Sequence, residues 1–437
     1  MQKLVQEIKS IFANHDDFFI QEEHFKQTAI FLIGFNTMID FTHSNLYIRQ
    51  MAKMSASVNE LFTNLSDQLD VDLEQIIKAI LDGKLVLLSE CNRNALLVPI
   101  SRKLSRSIDE PKNESIIQGP LNAFGEDIDI NLGMIRKWLG TERLCHCSHQ
   151  IGQLTKRRIS MLYIKGKAPI ALIEKVDRLL KQIESDIVTI DDLNKHFGQH
   201  KFNPISYLFS TEIPIQAIDS LKKNRVVLFL DNYPCALVFP HLFLDMLTTV
   251  NDRNFPIGLS LLIRALRGLG ALATLILPAL YVALTSVNPD VLKIDLALFI
   301  SKSREGIPLT PIVETLTMVV LVDLIIEAIL RLPKSVGPTI TMVGGIILGQ
   351  AMVDAKLVSN LLVIVVTAML IANSSVVGVQ NSLYIRALKY PILILASVYG
   401  ILGLFTGLTF VCIYLASLTS CDIAYMTFRI EGKGDTI

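Results

Sequence analysis

Three carboxylates set within apolar sequence constrain this chain more than any other feature. They lie in SREGIPLTPIVETLTMVVLVDLIIEAILRLPKSVGPTITMVGGIILGQ, Ser303–Gln350. From about Pro308 to Leu330 the only charges are Glu314, Asp323 and Glu327. A carboxylate at the centre of a bilayer costs roughly 3 kcal/mol unless it is paired or faces water, so such residues read as functional. A second helix is predicted over about Val336–Val353, where Gly345 and Gly349 form a GxxxG spacing that admits a neighbouring helix. Between the two, Arg331-Leu332-Pro333-Lys334 supplies a helix stop and cations able to reach the bilayer surface. The pattern predicts an assembly that handles something polar inside a membrane.

Charge distribution divides the chain. Basic and acidic residues balance at 41 each, which gives no pointer to nucleic acid. Residues 256–437 hold 22 of these 82 charges and residues 1–255 the other 60. The expected architecture is an α/β N-terminal half followed by an α-helical transmembrane domain of about five spans. No apolar run opens the chain, so no secretory signal is read, and the N-terminal half is expected in the cytoplasm. The six cysteines form no short-spaced framework, as suits a reducing compartment. Cys145-His146-Cys147-Ser148-His149 has metal-ligand residue types but no second distant pair, so an exposed linker is preferred to a metal site.

The N-terminal half repeats itself. LVLLSECNRNALLVP (Leu85–Pro99) lies over VVLFLDNYPCALVFP (Val226–Pro240) at an offset of 141 residues. Each reads as two buried strands around a polar turn, preceded by an amphipathic helix, Leu73–Leu81 or Ile215–Lys222. Upstream, TAIFLIG (Thr28–Gly34) is matched to SMLYIKG (Ser160–Gly166) by their terminal glycines. Two related subdomains follow, 1–102 and 150–242, with 103–149 as a linker and connecting helix. That helix carries Ile128, Leu132, Ile135 and Leu139 on one face, with acids at its start and Arg136 and Lys137 near its end. No P-loop, GxGxxG, HExxH or GxSxG is present, so neither an enzyme nor a cofactor site is expected.

The transmembrane domain is expected over 243–420, with a short tail at 421–437. Gly268–Val287 is uncharged and long enough to span, with Arg264 and Arg267 marking its cytoplasmic start. Val291–Ile300 is too short to span and is expected to lie at the interface or re-enter. After the two helices of the opening stretch come Leu357–Ala372 and an uncharged run, Pro391–Leu418, holding a second GxxxG pair, Gly403 and Gly407.

Within this domain Val336–Val353 is the span with most small and polar residues. Ile340, Thr341, Val343, Gly344, Gly345, Gly349 and Gln350 are candidate pore or gate residues, because small residues crowd helices around an axis while Thr and Gln offer oxygen ligands. Close helix packing without a pore explains the glycines equally well. Asp323 and Glu327, four apart, share a helical face with Glu314 roughly opposite; cation attraction at a vestibule and interhelical bonding are both compatible with that spacing.

Several blocks together resemble the A subunits of the GerA family of spore germinant receptors. They are GPLNAFGEDIDINLGMIRKWL, SMLYIKG, STEIPIQAI, NRVVLFLDNYPCALVFP, LPALYVALTSVNPD, SREGIPLTPIVETL and RLPKSVGPTITMVGGIILGQAMVDAKLVS, within about residues 110–425. Arg304, Glu305, Gly306, Arg331 and Pro333 are the family-motif residues. The resemblance implies a multi-pass protein of the spore inner membrane that works with a transporter-like B subunit and a lipoprotein C subunit. It further implies a homo-oligomer acting as a nutrient-gated ion channel; a related sporulation membrane protein that amplifies ion release, and a secondary transporter, are the alternatives.

Overall fold

Continuous apolar runs build the central strands of two antiparallel sheets, each covered on both faces by helices. The computed structural model describes residues 2–25, 28–55, 57–65, 71–89, 95–98, 120, 122–200, 203–331, 347, 349–427 and 430. Two compact units result: Met1–His241 with Ser420–Ile423, and Leu242–Thr419 with Ala424–Met426.

In the first unit the chain begins α1 (Gln2–Ile11), β1 (Phe18–Phe25), β2 (Thr28–Phe35), α2 (Phe41–Met54), α3 (Val58–Leu65), α4 (Leu73–Leu81), β3 (Leu85–Ser89) and β4 (Ala95–Val98). The four strands form one sheet in the order β1-β2-β3-β4. Strand period 2 sends Leu85 and Leu87 to one face, against Ile48, Leu61 and Phe62 of α2 and α3. Val86 and Leu88 face the other way, against Ile8 of α1 and Ile76 and Ile80 of α4.

The same order then recurs: α5 (Ile128–Leu139), β5 (Leu144–Ile151), β6 (Arg157–Ile164), α6 (Ile170–Lys181), α7 (Ile190–His196), β7 (Phe209–Thr211), α8 (Pro214–Lys222), β8 (Val226–Leu230) and β9 (Ala236–Phe239). The sheet runs β5-β6-β8-β9-β7, with β7 as an added edge. Val226, Leu228 and Leu230 meet Leu172 and Val176 of α6 and Leu193 of α7. Val227 and Phe229 meet Ile128 and Leu132 of α5 and Leu221 of α8. The 141-residue offset holds pair for pair: Leu85 pairs with Val98 as Val226 pairs with Phe239.

Two expectations need correction. The helix predicted as a connector in 103–149 is the first helix of the second repeat, standing where α1 stands in the first. Its stripe of Ile128, Leu132 and Ile135 is buried on the second sheet, Asp127 caps it by accepting from Asp129 N, and Gly140 ends it at φ 45°. The boundary at 150 therefore falls inside β5, and Cys145 and His146 are buried in that strand rather than exposed in a linker. Secondly, aligning Gly34 with Gly166 shifts the upstream strands by three residues. Ile30 pairs with Ser89 and Ile159 with Leu230, so Ile30 corresponds to Ile159, an offset of 129. Gly34 is a strand residue opposite Phe19, whereas Gly166 makes a left-handed turn after β6 at φ 83°. An odd shift would turn every side chain to the wrong face.

The repeats are joined by hydrogen bonds and a buried ion pair. Asp16 N donates to His146 O and His146 N to Asn14 O. Arg136, 3% exposed, donates to both Asp17 oxygens at 2.8 and 2.6 Å, and its guanidinium lies 4.0 Å from the centre of the Phe35 ring. Burial opposes the charge of Asp17, but Arg136 and His146 hold its carboxyl well below the usual range. His15 receives Arg136 Nη2 at Nδ1 and contacts Glu142 O through Nε2. Burial first, then Arg136, lowers its pKa from 6.5 to about 4. Between these values the unfolded chain binds a proton that the fold excludes, so stability present above pH 6.5 is lost as pH falls towards 4. The amount reaches about 3 kcal/mol. Denaturant titrations followed by the fluorescence of Trp138, the single tryptophan, are expected to show this slope and to lose most of it in His15→Gln. A slope unchanged in that variant counts against the assignment.

The second unit is helical: α9 (Ile257–Val282), continued by a π-helical turn at Ala283–Val287, then α10 (Ile294–Ser303), α11 (Pro311–Arg331), α12 (Asn360–Ser374) and α13 (Val379–Ser417). The described residues 349–354 are also helical. Among the described residues two helices are long and apolar enough to cross a membrane, Ile257–Val287 and Val379–Ser417. That is fewer than the five spans read from hydropathy, partly because α11 carries charges and α12 is short. α9 begins at Ile257, so Arg264 and Arg267 lie within the helix rather than before it, and Arg267 reaches Asp252 at 2.7 Å.

The uncharged run Pro391–Leu418, expected as one span, is folded back at Gly400. This residue has φ 61° and ψ −135°, a conformation open to glycine. Beyond it, a methyl group on Gly403 would lie 3.0 Å from Ala396 N and one on Gly407 3.1 Å from Ile392 Cα. Residues 7 and 15 apart in a straight helix are about 10 and 22 Å apart, so the arms 379–399 and 401–417 run antiparallel. The GxxxG pair is used inside the chain, to let these arms meet.

Candidate functional site

The helices of the second unit bury charges between them and turn apolar residues outward. Leu262, Leu266 and Leu269 of α9 and Phe405, Phe410 and Ile413 of α13 are exposed. Glu314, at 0% exposure, is enclosed. Its Oε1 accepts from Ser359 N at 2.6 Å and its Oε2 lies 3.3 Å from Arg304 Nε. Ser359 is the N-cap of α12, its hydroxyl accepting from Leu362 N and meeting Tyr281 OH at 2.9 Å. A carboxylate here answers the positive end of the α12 dipole as well as Arg304.

Asp323 forms a second centre about 13 Å further along α11 by helix rise. Lys389 Nζ reaches it at 2.9 Å, Tyr390 OH donates to Oδ2 at 2.5 Å, and Arg386 Nη1 stands 3.8 Å away. Lys389 is 0% exposed and Arg386 5%. All three partners come from the first arm of α13, so this centre ties α11 to the hairpin. A third feature sits at the hairpin bend, where Asn288 Oδ1 accepts from Ile401 N at 2.9 Å and supplies the second arm with its missing first acceptor.

Glu327, although four residues from Asp323, does not join it. Glu327 pairs with Arg331 within α11, at 2.7 Å, and both side chains are exposed. Of the motif residues, Arg304 also donates to Leu309 O, Glu305 is exposed, and Gly306 turns at φ 83° beneath Lys356, whose Cδ would lie 3.1 Å from an added Cβ. Pro333, Ile340, Thr341, Val343, Gly344 and Gly345 lie outside the described residues. Gly349 is partly buried with open space where a Cβ would stand, and Gln350 is exposed.

Sequence reasoning named the three acids but not their partners. Arg386 and Lys389 stand just before an uncharged run and read as its flanking cations; a pair of cations one turn apart, with carboxylates inside a neighbouring helix, was the available signal. Asn288 had no signal, since its role depends on a bend made by a residue more than a hundred positions away.

The profile of the family described as Bacillus/Clostridium GerA spore germination protein matches residues 6–435. Spore germination protein A1 of Bacillus subtilis (strain 168) is 33% identical over 381 residues, 85% of this chain and 79% of that protein. Spore germination protein GerLA of Bacillus cereus is 32% identical over 356 residues, 80% and 72% respectively. Among solved structures, the N-terminal domain of the A subunit of the Bacillus megaterium spore germinant receptor GerK3 is 19% identical, with a TM-score of 0.41, covering 55% of this chain and 94% of that one. The profile match takes in both repeats of the first unit and every helix of the second, and on it the chain belongs to the GerA family of spore germination proteins.

Proposed function

We propose that this chain is the A subunit of a nutrient germinant receptor, a multi-pass protein of the spore inner membrane that responds to nutrient by opening an ion pathway. The reading takes the first unit as cytoplasmic and assigns the chain no enzymatic step. One observation carries it: the second unit buries Glu314, Arg386 and Lys389 and half-buries Asp323 while presenting leucine and phenylalanine outward, the inverse of a water-soluble surface. A bilayer is the surrounding that suits that arrangement, with about five membrane segments, the last entering and returning at Gly400. The proposed partners are a transporter-like B subunit, a lipoprotein C subunit and further copies of this chain.

The conduction path is assigned to Val336–Val353, with Ile340, Thr341, Val343 and the glycines at the constriction. Removing bulk from a dewetted gate widens it. Ile340→Ala or Val343→Ala is therefore expected to give ion release without nutrient, measured as potassium loss from developing spores. Cysteines placed along 338–350 are expected to react with a water-soluble thiol reagent in the open state. If none reacts while cysteines in another segment do, the path lies elsewhere. Purified chain in planar bilayers separates the readings by class: channel-scale currents support a receptor channel, and stoichiometric uptake a secondary transporter.

A further inference from the structure

The Asp323 centre is one negative charge short. Two cations, Arg386 and Lys389, are buried there, and Asp323 is the one carboxylate within ion-pair distance among the described residues. Lys389 and Tyr390 take its oxygens at close range, which leaves Arg386 at 3.8 Å with a buried Nε that has no hydrogen-bond partner. The other buried acids of this unit are engaged elsewhere: Glu314 by Arg304 and Ser359, Asp252 by Arg267, and Asp245 by Leu242 N. The stretch 332–348 contains Lys334 and no Asp or Glu, so it brings no countercharge. Guanidinium keeps its proton in proteins, and a buried charge without an opposite partner costs several kcal/mol.

We infer that Arg386 and Lys389 hold a small monovalent anion, of chloride size, beside Asp323 and between α11 and the first arm of α13. The geometry favours a free ion over a side chain from another protein. With Lys389 at 0% and Arg386 at 5% exposure there is no surface on which a partner's carboxylate could dock, and of the three charged groups only Asp323, its side chain 20% exposed, is not buried. The bound anion neutralises the centre and lets α13 remain packed against α11. In the proposed receptor it would make the packing of this helix pair respond to the ions around it, but the binding itself does not depend on that role.

The test uses the full chain, purified in detergent, in chloride and in gluconate at equal ionic strength. An ion that binds the folded form at concentrations well above its dissociation constant is expected to raise the unfolding midpoint by ~3 °C or more in chloride. Arg386→Gln is expected to abolish the difference between the two salts. Equal midpoints in the unmutated chain overturn the proposal, as does a chloride effect that survives Arg386→Gln. Should that variant fail to fold, equilibrium dialysis of the unmutated chain with radioactive chloride decides. One ion bound per chain, displaced by bromide, supports the site, and no saturable binding overturns it.

Discussion

Asp323→Asn is expected to lower the stability of the second unit by about 3–5 kcal/mol, the usual cost of stripping a buried cation of its partner. Lys389, fully buried, would face a neutral amide at 2.9 Å in place of a carboxylate, and Tyr390 would lose a charged acceptor. In thermal unfolding of the detergent-solubilised chain this corresponds to a fall of about 10 °C. Glu327→Gln is the control. Its carboxylate serves an exposed i,i+4 pair with Arg331, and pairs of that kind contribute under ~1 kcal/mol. Asp323→Glu, which retains the charge, is expected to lie between the two. Equal losses in Asp323→Asn and Glu327→Gln would mean that these acids act as one group, as their spacing alone suggests.

That contrast shows where sequence and structure part. Helical period places Asp323 and Glu327 on one face, and both do lie on α11 as read. What the period does not carry is which neighbour meets each turn of that face; the first arm of α13 reaches Asp323, and Glu327 is left to its own helix. The repeat in the N-terminal half was legible because buried strand pairs need β-type apolar runs at fixed register, and the 141-residue offset preserves that register from Leu85–Val98 to Val226–Phe239. Its first helix was missed as part of the repeat because α1 and α5 share a position and an amphipathic stripe rather than a recognisable string of residues. Matching the upstream strands on Gly34 and Gly166 puts them out of register, because the first lies within a strand and the second makes a left-handed turn after one. Hydropathy found the uncharged run after Pro391, yet a single residue decides whether such a run crosses or turns back.

Gly400→Ala is expected to be as damaging as the loss of Asp323, for reasons of backbone rather than charge. A non-glycine residue at φ 61° and ψ −135° costs about 1–3 kcal/mol. The added methyl group would also run into Asn288 Oδ1 and stand 2.9 Å from Val287 Cβ. Moving Asn288 aside frees the part-buried Ile401 N–H, which costs up to a further ~1–3 kcal/mol. Asn288→Ala removes only the second part and is expected to cost correspondingly less. Gly349→Ala, in helix with open space around it, should be neutral or gain up to about 1 kcal/mol from helix propensity. The series Gly349→Ala, Asn288→Ala, Gly400→Ala should therefore rank in that order of increasing destabilisation in thermal unfolding. A Gly400→Ala chain as stable as Gly349→Ala would show that the bend can be made without a left-handed residue. Gly403→Ala provides the independent check, since its methyl group would be driven against the backbone of Leu395 and Ala396, which only antiparallel arms bring close.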